Sequence, residues 1–181
     1  MLKLNIEGWR LRPMEKADAA DFQRILEQYD VAKFLMPIKH PFPEGAAEVW
    51  VREKLKNGAL QNTSFAILNP AGDVSDNVGF DQDGDNCHLG YYLDMPYWGK
   101  GVMSGAVATV LAWLFDASET TLVHSGAFEI NPASLAIQKK LGFIETGRGT
   151  AYCAAQEQEL GHIDTALSRD RFLKNRVGSN A

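Results

Sequence analysis

Trp98-Gly99-Lys100-Gly101-Val102-Met103-Ser104-Gly105 is the stretch on which the fold turns. It follows an alternating run over Asn86–Leu93 and leads into Met103, Val107, Val110 and Leu114 at i, i+4, i+7 and i+11. It therefore joins a strand to a helix predicted over Val102–Ala117. The first amides of a helix lack partners, and the helix dipole places about half a positive charge beside them. A phosphate or pyrophosphate is the expected guest there, with Lys100 adding a full charge. Read more simply, Gly99 and Gly101 make a tight turn and Gly105 admits a neighbouring element. Three named motifs fail on spacing. Lys100 precedes any Walker A register, Gly105 falls one place late for GxGxxG, and Ser104 stands in Gly101-Val102-Met103-Ser104-Gly105 rather than GxSxG.

Working outward, strands are predicted at Ser64–Leu68, Val74–Phe80 and Asn86–Leu93, with turns at Asn69-Pro70-Ala71-Gly72 and Asp83-Gly84, as an antiparallel meander. Leu122–Ala127 is a strand after the helix, completing a βαβ crossover. Asn131-Pro132 opens another helix, with Lys139 and Lys140 in its last turn and Gly142 past its end. Closing strands are expected over Gly149–Gln156 and His162–Ser168. Upstream, Leu2, Leu4 and Ile6, then Trp9 and Leu11, alternate as one or two opening strands ended by Pro13. Asp18 is the expected cap of a helix whose stripe is Phe22, Ile25, Leu26 and Tyr29. After the Pro37–Pro43 break, a second helix over Glu44–Asn57 shows Ala47, Trp50, Val51 and Leu55 on one face and stops at Gly58. The order gives an α+β fold, a mixed, largely antiparallel sheet flanked by about four helices. It forms one domain over residues 1–174, with 175–181 as a flexible tail.

At 181 residues, 45% hydrophobic and 23% charged, the chain suits one globular domain and excludes disordered, collagenous and coiled-coil classes. A net charge of -5 is the opposite of a nucleic-acid footprint, so no nucleic-acid partner is expected. Cys87 and Cys153 with four scattered histidines give no zinc spacing, and no metal is expected. Both thiols read as small buried hydrophobes. Asp81, Asp83 and Asp85 resemble a calcium loop, but Gly84 is misplaced and Tyr92 stands where the bidentate Glu belongs, so they read as a solvated hairpin tip. No signal peptide or membrane span is visible, which makes the cytoplasm the expected compartment.

His88-Leu89-Gly90-Tyr91-Tyr92-Leu93, Tyr97-Trp98-Gly99-Lys100-Gly101, Asn131-Pro132-Ala133-Ser134 and Lys140-Leu141-Gly142-Phe143 together resemble the GNAT superfamily of N-acetyltransferases. The likeness is closer to the Rim-type branch, which acetylates N-terminal amines of ribosomal proteins. It runs from Leu11-Arg12-Pro13 to Leu167-Ser168-Arg169-Asp170. The resemblance implies an acetyl-CoA site in which the amide of Leu93 pairs with the pantetheine arm. The amides of Gly99, Lys100, Gly101, Val102, Met103 and Ser104 would hold the pyrophosphate. Trp98 and Met103 depart from the family's usual residues, but backbone amides do the binding. Asn131 is implied as a hydrogen-bond partner of pantetheine beside its capping role, and Ser134 as the hydroxyl that protonates the leaving thiolate.

Acyl transfer to an amine needs the amine neutral. At pH 7 a lysine-type amine near pKa ~10.4 costs about 4.6 kcal/mol to deprotonate, an α-amine near ~8 only about 1.4. Some Rim-type relatives place a glutamate where Tyr152-Cys153 stand here. Glu157 and Glu159 are the nearest substitutes, and Glu129 and His88 are further candidate bases. Tyr91, Tyr92, Tyr97 and Trp98 flank an acyl or peptide channel or pack in the sheet. The expected function is direct acetyl transfer from acetyl-CoA, in a ternary complex, to a peptide N-terminus. The rival readings are a small amine acceptor (polyamine, amino acid or antibiotic) and an acyl-CoA-binding module without turnover. A homodimer is compatible with each.

Overall fold

The computed structural model describes residues 1–56 and 60–178. Eight strands form one sheet: β1 (Leu2–Lys3), β2 (Arg10–Pro13), β3 (Ser64–Leu68), β4 (Val74–Asp83), β5 (Asn86–Leu93), β6 (Leu122–Phe128), β7 (Ile144–Cys153) and β8 (Gln158–Ser168). Their spatial order is β1-β2-β3-β4-β5-β6-β8-β7, and every neighbouring pair is antiparallel except β5 with β6. The helices are α1 (Ala19–Leu26), α2 (Tyr29–Ala32), α3 (Ala46–Lys56), α4 (Val102–Ala117), α5 (Pro132–Leu141) and α6 (Arg169–Gly178). The α+β class and mixed sheet are as expected, with six helices among the described residues rather than about four.

Strand β3 shows why the sheet is covered on both faces. Its alternate residues Phe65 and Ile67 join a core with Val107 and Leu111 of α4, while Ala66 and Leu68 join Phe22 of α1 and Val51 of α3. All five residues of Ser64–Leu68 are buried, as a strand between two helical layers requires. Helix α4 is apolar along most of its length because it fills the middle of one layer.

Several local expectations change. Asp18 does not cap α1 through its side chain. Its buried carboxylate instead accepts from Arg12 at 2.6 and 2.8 Å and from the Glu15 amide at 2.8 Å. Tyr29 lies outside the first helix and opens α2, 45% exposed. In α3, Leu55 is 49% exposed, outside the buried pair Ala47 and Val51. The expected stop at Asn57 and Gly58 lies outside the described residues. Strand β4 continues to Asp83, so Asp81 lies within the strand, where its exposed carboxylate ion-pairs with Lys54, while Asp83 and Asp85 stand exposed at the hairpin tip as expected. Helix α6 reaches Gly178, four residues into the stretch expected as a tail; 179–181 lie outside the described residues. No helix among the described residues is long and apolar enough to cross a membrane.

Strands β5 and β6 meet in parallel register at one pair, His88 opposite His124. The Ser125 hydroxyl donates to the Leu89 carbonyl at 3.1 Å. Beyond that point β5 stays paired with β4 to Leu93 and β6 with β8 to Phe128, so the two strands part and leave a cleft.

Candidate active site

The cleft has a volume of about 1440 Å³. Its upper edge is the strand-to-helix turn. Gly99 and Gly101 have φ of +72° and +78°, and Gly101 is the N-cap of α4 in left-handed backbone. A side chain on that backbone would be strained. No side chain caps α4, and its first turn closes with the Gly105 amide on the Gly101 carbonyl at 3.0 Å. The amides of Val102, Met103 and Ser104 therefore have no acceptor within the helix. They open beside a cleft lined by Gly99, Gly101, Val102, Met103 and Ser104, which fits an anionic group brought close to the main chain. Lys100 is exposed with its ammonium 5.8 Å from the centroid of the Tyr97 ring, and it does not line the cleft. The Trp98 indole donates to the Leu93 carbonyl at 2.6 Å, tying the turn back to β5; both residues line the cleft.

Across the gap, Asn131 caps α5. Its Oδ1 accepts the Ser134 amide at 3.1 Å, and among the described residues its side-chain amide donates to no protein group. Ser134 is buried at the cleft and sits in a network that sequence reasoning did not foresee. Gln138, 1% exposed, has its orientation fixed by Thr165, whose hydroxyl donates to Gln138 Oε1 at 2.7 Å. Gln138 Nε2 then donates to the Gly126 carbonyl at 3.1 Å, Ser134 Oγ at 3.3 Å and Tyr91 Oη at 3.4 Å. Tyr91 Oη and Ser134 Oγ lie 2.8 Å apart. Burial pushes the Tyr91 phenol up, only partly offset by its bonds to Ser134 and Gln138, so the phenol keeps its proton. Either hydroxyl can donate in the Tyr91–Ser134 contact, and in the arrangement where Tyr91 donates, the serine proton is free to point into the cleft. Gly126 is required where it stands, because a Cβ there would lie 2.5 Å from His162 Cε1 and 2.7 Å from the Ile163 carbonyl oxygen.

His88 and His124 line the cleft where β5 and β6 part, their ring centroids 5.4 Å apart. Among the described residues the His88 ring has no hydrogen-bond partner. Glu129 does not line the cleft. It is half exposed, accepts from Arg148 at 3.2 Å and packs across Gly161, so the structure does not bring it to Ser134 and His88. Glu157 and Glu159 are exposed on the β7–β8 hairpin and do not line the cleft either. Neither cysteine faces it. Burial pushes the Cys87 thiol up to about 11, and Cys153 is buried with its Sγ on the Lys33 carbonyl at 3.4 Å.

A signal for Tyr91 and Gln138 was present in the spacing. Tyr91 alternates with the buried Leu89 on β5, and Gln138 is one helical turn after Ser134 on α5. What was missing was the pairing of β5 with β6 and α5 that brings them together.

Residues 9–144 match the family described as Acetyltransferase (GNAT) domain. The chain belongs to that family and is an acetyltransferase. No curated protein sequence matches it. Among solved structures, it is similar to spermidine N-acetyltransferase from Vibrio cholerae, in complex with CoA and spermine, with a TM-score of 0.78 at 12% identity over 92% of this chain and 98% of that one. It is also similar to ribosomal-protein-S5-alanine acetyltransferase from Vibrio fischeri, with a TM-score of 0.76 at 20% identity over 95% and 99%. A GNAT-family acetyltransferase from Bacillus anthracis gives a TM-score of 0.76 at 18% identity over 92% and 98%. At these identities the likeness is one of fold.

Proposed function

We propose that this protein transfers an acetyl group from acetyl-CoA to a primary amine by direct attack in a ternary complex, and that the amine is the α-amine of a peptide or protein N-terminus, as in the Rim-type branch. The observation that carries the reading is the pairing, across one cleft, of unpartnered amides at the start of α4 with an oriented hydroxyl at the start of α5. The first suits a diphosphate and the second a thiolate.

In this reading the amides of Val102, Met103 and Ser104 and the free amide of Asn131 bind the donor along the gap between β5 and β6. Ser134 donates its proton to the departing sulfur as the amine nitrogen bonds to the acetyl carbon and the carbon–sulfur bond breaks. Tyr91 and Gln138 hold Ser134 in the rotamer that makes this donation available. The proton lost by the amine passes to His88, the one expected base that lines the cleft, and is returned through solvent to Ser134, so that both side chains end as they began. An acyl-cysteine route has no support, since neither thiol reaches the cleft and Cys87 keeps its proton at neutral pH.

Calorimetric titration with acetyl-CoA, followed by thiol release with a peptide panel, tests the reading. Binding with turnover on peptide α-amines is expected. Binding with no turnover across peptides and small amines would make the chain an acyl-CoA-binding module, and no binding to folded protein would remove the reading altogether.

A further inference from the structure

One half of the cleft has an apolar wall, which starts beside the glycine turn with the Phe34 ring centroid 6.4 Å from that of Trp98. It is formed by the segment after α2, which is tied across the mouth. The Lys33 carbonyl accepts from Gln156 Nε2 at 3.0 Å and from Cys153 Sγ at 3.4 Å, and the Met36 carbonyl accepts the Ala154 amide at 3.1 Å. From this fixed segment Phe34, Leu35, Ile38 and Phe42, with Trp50 of α3, line the cleft half-buried. Opposite them, Gly79 and Gly90 are register partners on β4 and β5, and a Cβ at Gly90 would meet nothing within 4 Å. There is room beside a wall that water solvates poorly.

Charge is nearly absent from that half. Among the described residues the cleft is lined by two carboxylates, Asp81 and Asp164. Asp81 is neutralised by Lys54 Nζ at 2.5 Å, and Asp164, 62% exposed at the rim, lies 3.1 Å from His162 Nδ1. Asp94, buried nearby, is taken by Arg24 at 2.9 Å and Gln28 at 2.9 Å and does not line the cleft.

We propose that this half of the cleft binds a monoamine whose amino group is carried beside an apolar aliphatic or aromatic group, and that it discriminates against polyamines. The inference rests on the acetyl-transfer reading above and names its acceptor class. Each further ammonium of a polyamine would have to leave water without a carboxylate to meet it, a heavy cost beside apolar side chains. A single amine next to the wall gains instead. Its apolar group is buried, and desolvation favours the neutral form that must attack. The wall thereby takes on part of a base's work.

The same apolar group can come from the first residue of a peptide or from a small amine. Thiol release from acetyl-CoA is therefore measured with peptides of one sequence beginning with Leu, Phe or Gly, with leucinamide and phenylalaninamide, and with spermidine. Leu and Phe acceptors are expected to exceed Gly by roughly 10- to 100-fold in kcat/KM, with spermidine at or below Gly. Peptides outrunning the amino-acid amides identifies a chain terminus as the source, and the reverse identifies a small amine; each supports the proposal if the apolar preference holds. Equal rates for Leu and Gly, or a preference for spermidine, overturn it. Ile38→Asp places a carboxylate in the wall and should cut the Leu-over-Gly ratio at least about tenfold with acetyl-CoA affinity unchanged. Ile38→Ala should move the ratio the same way and serves if the charged variant fails to fold. An unchanged ratio in whichever variant folds also overturns the proposal. Turnover with the wrong preference defeats the acceptor class alone, whereas failure of acetyl-CoA to bind defeats it together with the reading beneath it.

Discussion

The wall that begins at Gly99 and the wall that runs from Phe34 to Phe42 face the same cleft but present different chemistry to it. The first presents main-chain amides at a helix start. Amides are identical whatever side chain they carry, so Trp98 and Met103 can depart from the usual family residues while the anion site keeps its form. The second presents side-chain bulk on a segment held by three hydrogen bonds to the β7–β8 hairpin and its turn. Its chemistry changes with every substitution. With the donor on the backbone wall and the acceptor on the side-chain wall, as proposed above, one reaction can be kept while acceptors diverge.

The largest effect that would break this contrast comes from Gly101. Gly101→Glu puts a side chain on backbone at φ +78° and a negative charge where the diphosphate is expected. Acetyl-CoA affinity measured by calorimetry should fall at least about 100-fold. A Cβ at Gly101 has nothing within 4 Å, so Gly101→Ala isolates the backbone strain and should cost only about 1 to 2 kcal/mol. If Gly101→Glu binds like the native protein, the main-chain wall is not the donor wall.

A smaller effect is expected at Ser134. A thiol has an ordinary pKa near ~8.5, so a departing thiolate needs modest help at pH 7, and Ser134→Ala should lower kcat by about 10- to 100-fold. The KM for acetyl-CoA should hardly move, because Asn131 and the α4 amides remain. Tyr91→Phe removes the partner 2.8 Å away, and the double variant should be less damaged than the product of the two single effects, as for residues acting as a unit. Strict multiplicativity would show that Tyr91 and Ser134 work separately.

The glycine turn, the helix it opens and the Asn131 cap were legible in the sequence because their signals are local. Gly99, Gly101, the stripe from Met103 to Leu114, and Asn131-Pro132 each state a backbone requirement within a few residues. The order of the three meander strands also followed, since Asn69–Gly72 and Asp83-Gly84 mark the turns between them, whereas the place of β8 between β6 and β7 did not. The proton network was not legible, because Tyr91, Gln138 and Thr165 meet only after β5, α5 and β8 assemble. Nor was the apolar wall. Pro37–Pro43 reads as a break between helices, and nothing in its periodicity says that the hairpin turn at Ala154 will hold it over a cleft. Glu129 shows the converse, closeness in sequence without placement at the cleft. It lies two residues before Asn131, yet its side chain is drawn to Arg148 on β7.

The smallest effect concerns the strand beside the β5 end of the cleft. Asp76 is the register partner of Leu93, is fully buried, and has one carboxylate oxygen on the Asn77 amide at 2.8 Å and the other without a partner. Burial pushes its carboxyl well above the usual range, the Asn77 amide opposes that, and the neighbouring Asp94 adds to it. A group whose pKa is higher folded than unfolded favours folding most fully below its unfolded pKa, about 3.9, and the contribution is lost as pH rises through the folded value. Asp76→Asn keeps an acceptor for the Asn77 amide and removes the ionisation. It should therefore stabilise the protein by about 1 kcal/mol or more at pH 7, roughly 2 to 4 °C in Tm for a chain of this size, with the gain shrinking as pH approaches 4. Thermal melts of both proteins across that range decide it. A gain that stays constant with pH would trace the effect to packing, whereas a loss at pH 7 would mean that the charge at Asp76 is stabilised by a group that neither Asn77 nor Asp94 supplies.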